Sequence, residues 1–474
     1  MLDPPMASAD VSNPLQVAIV GSGPGGFYAA EALLRRRPDA RVDMFDRLPT
    51  PFGLVRGGVA PDHPKIKQVC LVYEKIARSP NFAFFGNVKI GRDLTIGELR
   101  SAYHVIILAC GASADRRLGI AGEDLAGSHT ATEFVGWYNG QPDYRDRVFD
   151  FSTDRAVIIG QGNVAGDVAR ILATPVDDLR RTDIAEHALA ALEHSRIRDI
   201  YVIGRRGPGQ IKFTPVELKE LGQVRNCAAI VAAQDLELGS VCQAEIADQR
   251  SDEAKKNVDV LRGFAAAASC GKDGGGSSGR RIWFRFLETP LRIAGPGRVE
   301  SVTLAKNRME GPPFAQVAVA TSQTLDLRCG LLFRSVGYKG VAISGVNFDE
   351  RAGIIPNRKG RCMAGEEPIP GLYVTGWIKR GPSGVIGTNR ADSVETVEAI
   401  VEDLGAMRPA PKAGAAGLRD ALGAAGMRAV SYAEWQKIDV AERSRGQPRG
   451  KPREKFTAVA EMIGALDAVV TPAA

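Results

Sequence analysis

The chain has 474 residues, 44% apolar and 24% charged, with a net charge of +6. It is too long for one hydrophobic core, so two to three domains are expected, of ordinary globular composition. The mild basicity suits an acidic partner without requiring nucleic acid, and no run of 18 apolar residues marks a membrane-spanning helix.

The first 15 residues carry Asp3 and Asp10 and no Arg or Lys. They read as a disordered start, unlike a secretory signal or an Arg-rich transit peptide, and a cytoplasmic location is expected. The seven cysteines are Cys70, Cys110, Cys227, Cys242, Cys270, Cys329 and Cys362. None form Cys-x-x-Cys or a metal-ligand spacing, so reduced thiols are expected, with no redox disulfide and no metal.

The apolar run Val17-Ala18-Ile19-Val20 leads into Gly21-Ser22-Gly23-Pro24-Gly25-Gly26. A strand, a tight glycine turn and a helix in this order make a dinucleotide-binding unit. The first glycine permits the turn, the second lets backbone approach a pyrophosphate, and the third lets helix pack on strand. The helix start then offers free N–H groups to the phosphates. The helix carries residues 27–36, and the next strand is 42–46. Asp46 ends that strand, where an acid takes the ribose hydroxyls of an adenosine.

A loop of four prolines and three glycines follows over residues 49–64, with Asp62-His63 near its end. It is too long and stiff for an ordinary connector, and such loops are often functional. Residues 104–109 read as a buried parallel strand. Residues 116–154 read as a linker into a second unit.

That unit repeats the first. Ala156-Val157-Ile158-Ile159 leads into Gly160-Gln161-Gly162-Asn163-Val164-Ala165-Gly166. Extra helix is expected over 176–198. The next strand, 200–203, ends in Arg205-Arg206 where the first unit has its acid. Two guanidinium groups there suit a 2′-phosphate, hence NADP, whereas Asp46 suits the adenosine of FAD. Residues 265–280 read as a flexible surface loop. Strand-like segments lie near 282–286 and 302–304. Residues 371–376 read as a buried strand with a glycine stop, by which the chain returns to the first domain.

Several longer motifs carry a resemblance. They are Pro49-Thr50-Pro51-Phe52-Gly53-Leu54-Val55-Arg56, continuing to Val59-Ala60-Pro61-Asp62-His63-Pro64; Gly162 to Arg170; Phe213-Thr214-Pro215-Val216-Glu217-Leu218; and Gly376-Trp377 to Gly387. The tail adds Trp435 to Asp439 and a basic stretch to Lys455-Phe456. The chain resembles the adrenodoxin reductase type of ferredoxin–NADP reductase, especially its actinobacterial members, over nearly its whole length.

The resemblance implies an α/β fold with two Rossmann-like domains, one for FAD and one for NADP, in the three-layer ββα/βαβ flavoprotein architecture. The expected division is 16–115 with 336–474 for FAD and 116–335 for NADP. It implies cofactor contacts from Gly21, Gly23, Pro24, Gly25, Gly26, Asp46, Leu54, Val88, Gly376, Trp377, Gly384, Val385 and Ile386 on the FAD side. On the NADP side it implies Gln161, Gly162, Asn163, Val164, Arg205, Arg206 and Glu217. Trp377 would lie against the flavin, and the helix after Gly387 would aim its N-terminus at the flavin's pyrimidine edge. His63, Asp167 and Glu217 resemble the polar cluster lining the family's active site. Hydride transfer between two rings held in contact needs no protein base. His63 and Glu217 are therefore expected to orient nicotinamide and tune proton balance.

The implied activity is NADPH:ferredoxin oxidoreduction, with an acidic iron–sulfur ferredoxin as partner and Arg35, Arg36 and Arg37 as candidate docking cations. Four alternatives are weighed against it. A disulfide reductase lacks its Cys-x-x-Cys. A glutamate-synthase-like input subunit lacks its cluster cysteines. A flavin monooxygenase and a non-catalytic nucleotide sensor complete the set.

Overall fold

The computed structural model describes residues 14–269, 279–406, 410–424 and 426–467. Two large sheets organise them, the first parallel except for an antiparallel hairpin edge at 357–374 and the second wholly parallel. The first has seven strands, in the order Asn357–Arg358, Arg361–Ala364, Glu367–Val374, Val105–Leu108, Gln16–Val20, Arg41–Phe45 and Phe82–Phe85. Its central strands are apolar on both faces because helices cover both sides, so they read as unbroken Val/Ile runs. The sheet takes strands from both ends of the chain.

The second sheet has six parallel strands, in the order Ser128–Thr130, Leu331–Arg334, Arg155–Ile159, Asp199–Ile203, Arg280–Arg285 and Cys227–Val231. A three-stranded antiparallel sheet, Glu288–Ala294, Ser301–Glu310 and Val317–Arg328, packs beside it. The chain crosses between the two large sheets twice. The crossings, Ala114–Asp115 and Tyr338–Lys339, pair with each other antiparallel.

Two expectations are corrected. Residues 116–154 are not a linker, because they hold the strand Ser128–Thr130 and the helix Ala131–Tyr138. Phe134, Trp137 and Tyr138 of that helix are core residues, and Thr130 and Glu133 form its capping box. Residues 265–269 are not loop but the last turn of the helix Asp252–Ser269, since alanine is the strongest helix former. The rest of that Gly/Ser stretch, and the expected disordered start up to residue 13, lie outside the described residues. The strand expected at 302–304 is present, near the start of the ten-residue strand Ser301–Glu310.

The proline-rich loop folds onto the first glycine turn. Its Phe52 donates its N–H to the Ser22 carbonyl at 3.0 Å and buries its ring against Phe27 and Trp435. Phe52 holds φ +83°, a conformation few side chains adopt. The loop then runs through two short helices, Leu54–Gly57 and Pro64–Lys67, toward the second unit.

Candidate functional site

The first turn is built for close approach. A Cβ at Gly26 would lie 2.1 Å from the Gly21 carbonyl oxygen, so only glycine lets helix meet strand. A Cβ at Gly23 would meet nothing, so space is open above the turn. The helix Pro24–Arg36 starts at Gly23 with no side-chain cap, leaving its first N–H groups directed at that space. Asp46 follows the second strand. Its carboxylate accepts the Ser22 N–H and hydroxyl and the Leu48 N–H, at 3.0 Å for each N–H. It therefore braces the turn. A carboxylate has about four lone-pair sites, which leaves one for a hydroxyl donor.

The second turn has the same form. Gly160 holds φ +134°, and a Cβ there would lie 2.1 Å from the Ser335 carbonyl oxygen. The helix Asn163–Ala173 starts at Gly162, again without a side-chain cap. The Gln161 amide turns inward and donates to the Arg285 carbonyl at 2.9 Å, which leaves its backbone for a ligand. Val164 packs against the core of its own unit. Arg205 is exposed and Arg206 half-buried, and neither has an ion-pair partner among the described residues. Burial, then the charge of Arg205, holds Arg206 below the ordinary guanidinium value. Glu245 offsets Arg206 only in part, and two adjacent cations without an ion pair among the described residues fit a bound phosphate.

Asn163 links this turn to the next element. Its Oδ1 accepts the Thr214 N–H at 2.8 Å, and Thr214 caps the helix Pro215–Leu221 by accepting the Glu217 N–H. Glu217 is thereby fixed over the cleft between the units. From the other side the proline-rich loop delivers Asp62 and His63. They meet around Arg170, which is only 5% exposed. Its Nε and Nη2 donate to Asp62 at 2.6 and 3.0 Å, and Nη2 donates to Asp167 at 2.7 Å. Its Nη1 faces Glu217 at 3.5 Å. His63 stands between two acids, with Nε2 2.8 Å from Glu220 and Nδ1 3.9 Å from Glu217.

These charges share one desolvated place, so their proton affinities separate. Burial, reinforced by Asp167, pushes Glu217 up to about 7 against the pull of His63 and Arg170. Burial also raises Asp167 despite its bond from Arg170. Burial would raise Asp62 too, but its two bonds from Arg170 outweigh it and hold Asp62 low. One ligand atom each of His63, Glu217 and Glu220 lies within 4.8 Å of the others. The two carboxylates face opposite ring nitrogens, so the ring spans them and does not join them round one cation.

The returning strand Glu367–Val374 completes the site. Gly376 holds φ +75° beyond it, and Trp377 stacks on Tyr338 at 5.8 Å between ring centroids. The indole N–H is buried without a partner. A Cβ at Gly25 would lie 3.4 Å from the Gly376 Cα, so the Trp377 turn sits directly on the first glycine turn. Gly384 holds φ +76°, the exposed Val385 donates its N–H to the Thr388 hydroxyl, and Ile386 packs on the first core. Leu54 is exposed on the loop. The Val88 side chain is buried in the core, so any ligand contact there falls to its backbone.

The sequence-expected residues thus fall into three groups: the first glycine turn with Asp46 and the Trp377 turn, the second glycine turn with Arg205 and Arg206, and His63, Asp167 and Glu217 near Arg170. Arg170, Asp62 and Glu220 were not among them. The signal for Arg170 was its place three residues after Asp167 on one helix, a spacing that puts both on one face.

The pyridine nucleotide-disulphide oxidoreductase model matches residues 15–206. The NADPH:adrenodoxin oxidoreductase of Arabidopsis thaliana, described as mitochondrial, is 43% identical over 470 residues, 97% of this chain and 96% of that one. The NADPH-ferredoxin reductase FprA of Mycobacterium tuberculosis is 43% identical over 471 residues, 95% of this chain and 98% of that one. The chain belongs to the adrenodoxin reductase family of NADPH–ferredoxin reductases. A solved structure of M. tuberculosis FprA in complex with NADPH superposes on this family member with a TM-score of 0.89 at 42% identity, covering 96% of this chain and all of that one.

In this reductase-family chain the three expected docking cations are engaged. Arg35 pairs with Glu31 at 3.0 Å, Arg36 with Glu398 at 3.4 Å, and Arg37 with Asp39 at 2.7 Å. Arg35 and Arg36 remain 70% and 60% exposed, so their guanidinium groups stay at the surface. No described helix is long and apolar enough to cross a membrane.

Proposed function

We propose that this chain is an FAD-containing NADPH:ferredoxin oxidoreductase that takes a hydride from NADPH and passes electrons singly to an iron–sulfur protein. The inequality of the two glycine turns carries the reading. One ends beside Asp46, the other beside two guanidinium groups that have no ion-pair partner among the described residues. When bound, FAD supplies a ring that accepts a hydride and releases electrons one at a time.

The residues present fit both groups. Gly21 to Gly26 and Asp46 hold the FAD pyrophosphate and adenosine, with backbone contact near Val88 and side-chain contact from Leu54. Gly376, Trp377 and Gly384 to Ile386 bound the ring system, and the Trp377 indole closes its face against water. Gln161 to Val164 hold the NADP pyrophosphate, and Arg205 and Arg206 the 2′-phosphate. His63, Asp167 and Glu217, tied together through Arg170, orient the nicotinamide and hold protons near it. Free Cys70, Cys110, Cys227, Cys242, Cys329 and Cys362 support a reducing, cytoplasmic setting. The net charge of +6 supports an acidic ferredoxin. The paired crossing strands support domain boundaries at 115/116 and 335/336.

The test is stopped-flow reduction of the purified protein by NADPH and by NADH, followed by ferredoxin-dependent cytochrome c reduction. A yellow protein bleached much faster by NADPH is expected. A colourless protein, or one that prefers NADH, sinks the reading.

Glu217 gives a pH prediction. Its folded pKa, about 7, is raised above the unfolded value of about 4.3. Its proton therefore stabilises the fold at low pH, and this is lost as pH rises from about 4 to 7. Glu217→Gln is expected to gain about 2.5 kcal/mol on the native chain between pH 5 and pH 8, at about 1.36 kcal/mol per unit. It should also flatten any inflection near neutrality in the pH profile of NADPH-driven reduction. Paired denaturant titrations at the two pH values check the first point. An unchanged difference removes the argument for a neutral Glu217.

A further inference from the structure

Among the described residues the Trp377 indole N–H has no hydrogen-bond partner, and its ring stacks on Tyr338, so its place depends on packing and on its backbone. The backbone is held from a different element. The Gly376 N–H, one residue before Trp377, donates to Asp392 Oδ2 at 2.5 Å. The Thr375 hydroxyl reaches the same oxygen at 3.3 Å. The other oxygen, Oδ1, receives Lys379 Nζ at 2.8 Å. Asp392 lies on the helix Thr388–Ala406 and is 8% exposed.

The same junction holds the loop 381–386. Arg380 Nε lies 3.7 Å from Asp392 Oδ2. Its guanidinium donates to the carbonyls of Gly381 and Ser383 and to Asn389 Oδ1, so it ties that loop to the helix. The next residue of the helix, Ser393, donates to the Gly25 carbonyl at 3.0 Å. One turn of the helix thus joins the first glycine turn, the Trp377 turn and the loop with Gly384. Those three segments come from opposite ends of the chain.

We infer that Asp392 is a positioning residue for hydride transfer: by accepting the Gly376 N–H it sets Trp377 against the reacting ring. The inference rests on the proposed FAD site. Asp392 touches no reacting atom. Lys379 is itself held by Glu395 at 2.6 Å and by the Thr396 hydroxyl, so its charge keeps a partner when Asp392 is changed. A change at Asp392 therefore removes the acceptor for Gly376 and the anion 3.7 Å from Arg380 Nε, of which an amide at 392 would lose only the second.

Three variants of the flavin-loaded protein separate acceptor from charge. D392A removes both, D392N keeps an acceptor oxygen without charge, and D392E keeps the charge on an arm one methylene longer. Reactions of this kind lose about 10–100-fold when reacting groups shift by about an ångström. D392A and D392E are expected to slow flavin bleaching at saturating NADPH by that factor, with the KM for NADPH nearly unchanged. D392N should restore the rate to within about three-fold of wild type. D392A and D392E should also change the flavin's visible absorption envelope and the near-ultraviolet circular dichroism of the flavin-stripped chain. D392N should leave both near wild type. D392E at the wild-type rate, or D392N as slow as D392A, overturns the inference, as does a folded, flavin-loaded D392A with full rate. If D392A does not fold, the order of D392N and D392E still decides. Failure of the FAD reading is distinct, because it shows in the wild-type protein as missing flavin or flavin that NADPH does not bleach.

Discussion

Replacing Arg205 and Arg206 together by Ala is expected to raise the KM for NADPH about 100-fold or more and to leave the KM for NADH where it stands. The two residues follow the strand Asp199–Ile203, at the end that faces the second glycine turn. Neither guanidinium is offset by a carboxylate within ion-pair distance, and Arg206 is held low by burial and by its neighbour. A dianion placed between them removes that penalty and accepts charge-assisted hydrogen bonds, worth about 1.5–3 kcal/mol each. Two such bonds give about 3–6 kcal/mol. Arg205 is exposed and partly screened by salt, so the low end applies, near 100-fold at about 1.4 kcal/mol per decade. NADH has no 2′-phosphate and loses nothing. Among the single variants, R206A should cost more, because its guanidinium is half-buried and less screened. Steady-state ferricyanide reduction with each nucleotide measures both constants. A double variant whose KM for NADPH stays within three-fold of wild type removes these arginines from the 2′-phosphate site.

The glycine turns, the acid at 46 and the arginines at 205–206 were legible because their chemistry is local. A strand, a turn and a helix start lie within a dozen residues, and the residue ending the next strand is found by counting. Arg170 was not legible as the centre of the cleft. In sequence it is a helical arginine, and only the arrival of Asp62 from 108 residues away makes it a buried hub. Glu220 failed for the same reason, since on its helix it is one acid among several. Residues 116–154 read as linker because the core that their aromatic residues complete is drawn from strands far along the chain. One local signal was present in Thr130-x-x-Glu133, whose pattern marks a helix start. The directions of the Gln161 and Val88 side chains were not legible either. Both turn away from the ligand side because sheet and core take them first. Arg35 to Arg37 look like a free run of like charges in one dimension, and in three each has an acid beside it while Arg35 and Arg36 stay at the surface.

Asp183→Ala is expected to destabilise the protein by about 3–5 kcal/mol, a large share of the 5–15 kcal/mol that holds a domain. Asp183 sits just before the helix Glu186–Glu193 in the second unit. Its carboxylate accepts Lys67 Nζ at 2.6 and 2.8 Å and pairs with Lys455 Nζ at 3.1 Å. Lys67 ends the short helix beyond His63, and Lys455 comes from the C-terminal segment. Lys455 also reaches the Arg56 carbonyl and Asn139 Oδ1, each at 3.4 Å. One carboxylate therefore fastens three distant segments across the two units. Burial would raise Asp183, but the charges of Lys455 and Lys67 outweigh it and hold its pKa far below the usual range. Removing it leaves two buried ammonium groups without their anion. The cost depends on pH in a way that a simple cavity does not. Burial, with Lys67 and Arg56, pushes Lys455 down to about 7 even with Asp183 present. A lysine whose folded pKa lies below its unfolded value of about 10.4 opposes folding at low pH and is relieved as pH rises between the two. Without Asp183 the folded value falls further, so the variant's deficit should be largest below about pH 7 and narrow above it. Denaturant midpoints of the first unfolding transition at pH 6 and pH 9 read this directly. Adding K67M and K455M to the variant should recover much of the loss, because a buried ion cluster replaced by apolar side chains is often near neutral. A deficit equal at the two pH values, or no recovery in the triple variant, removes the charge cluster as the link between the two units.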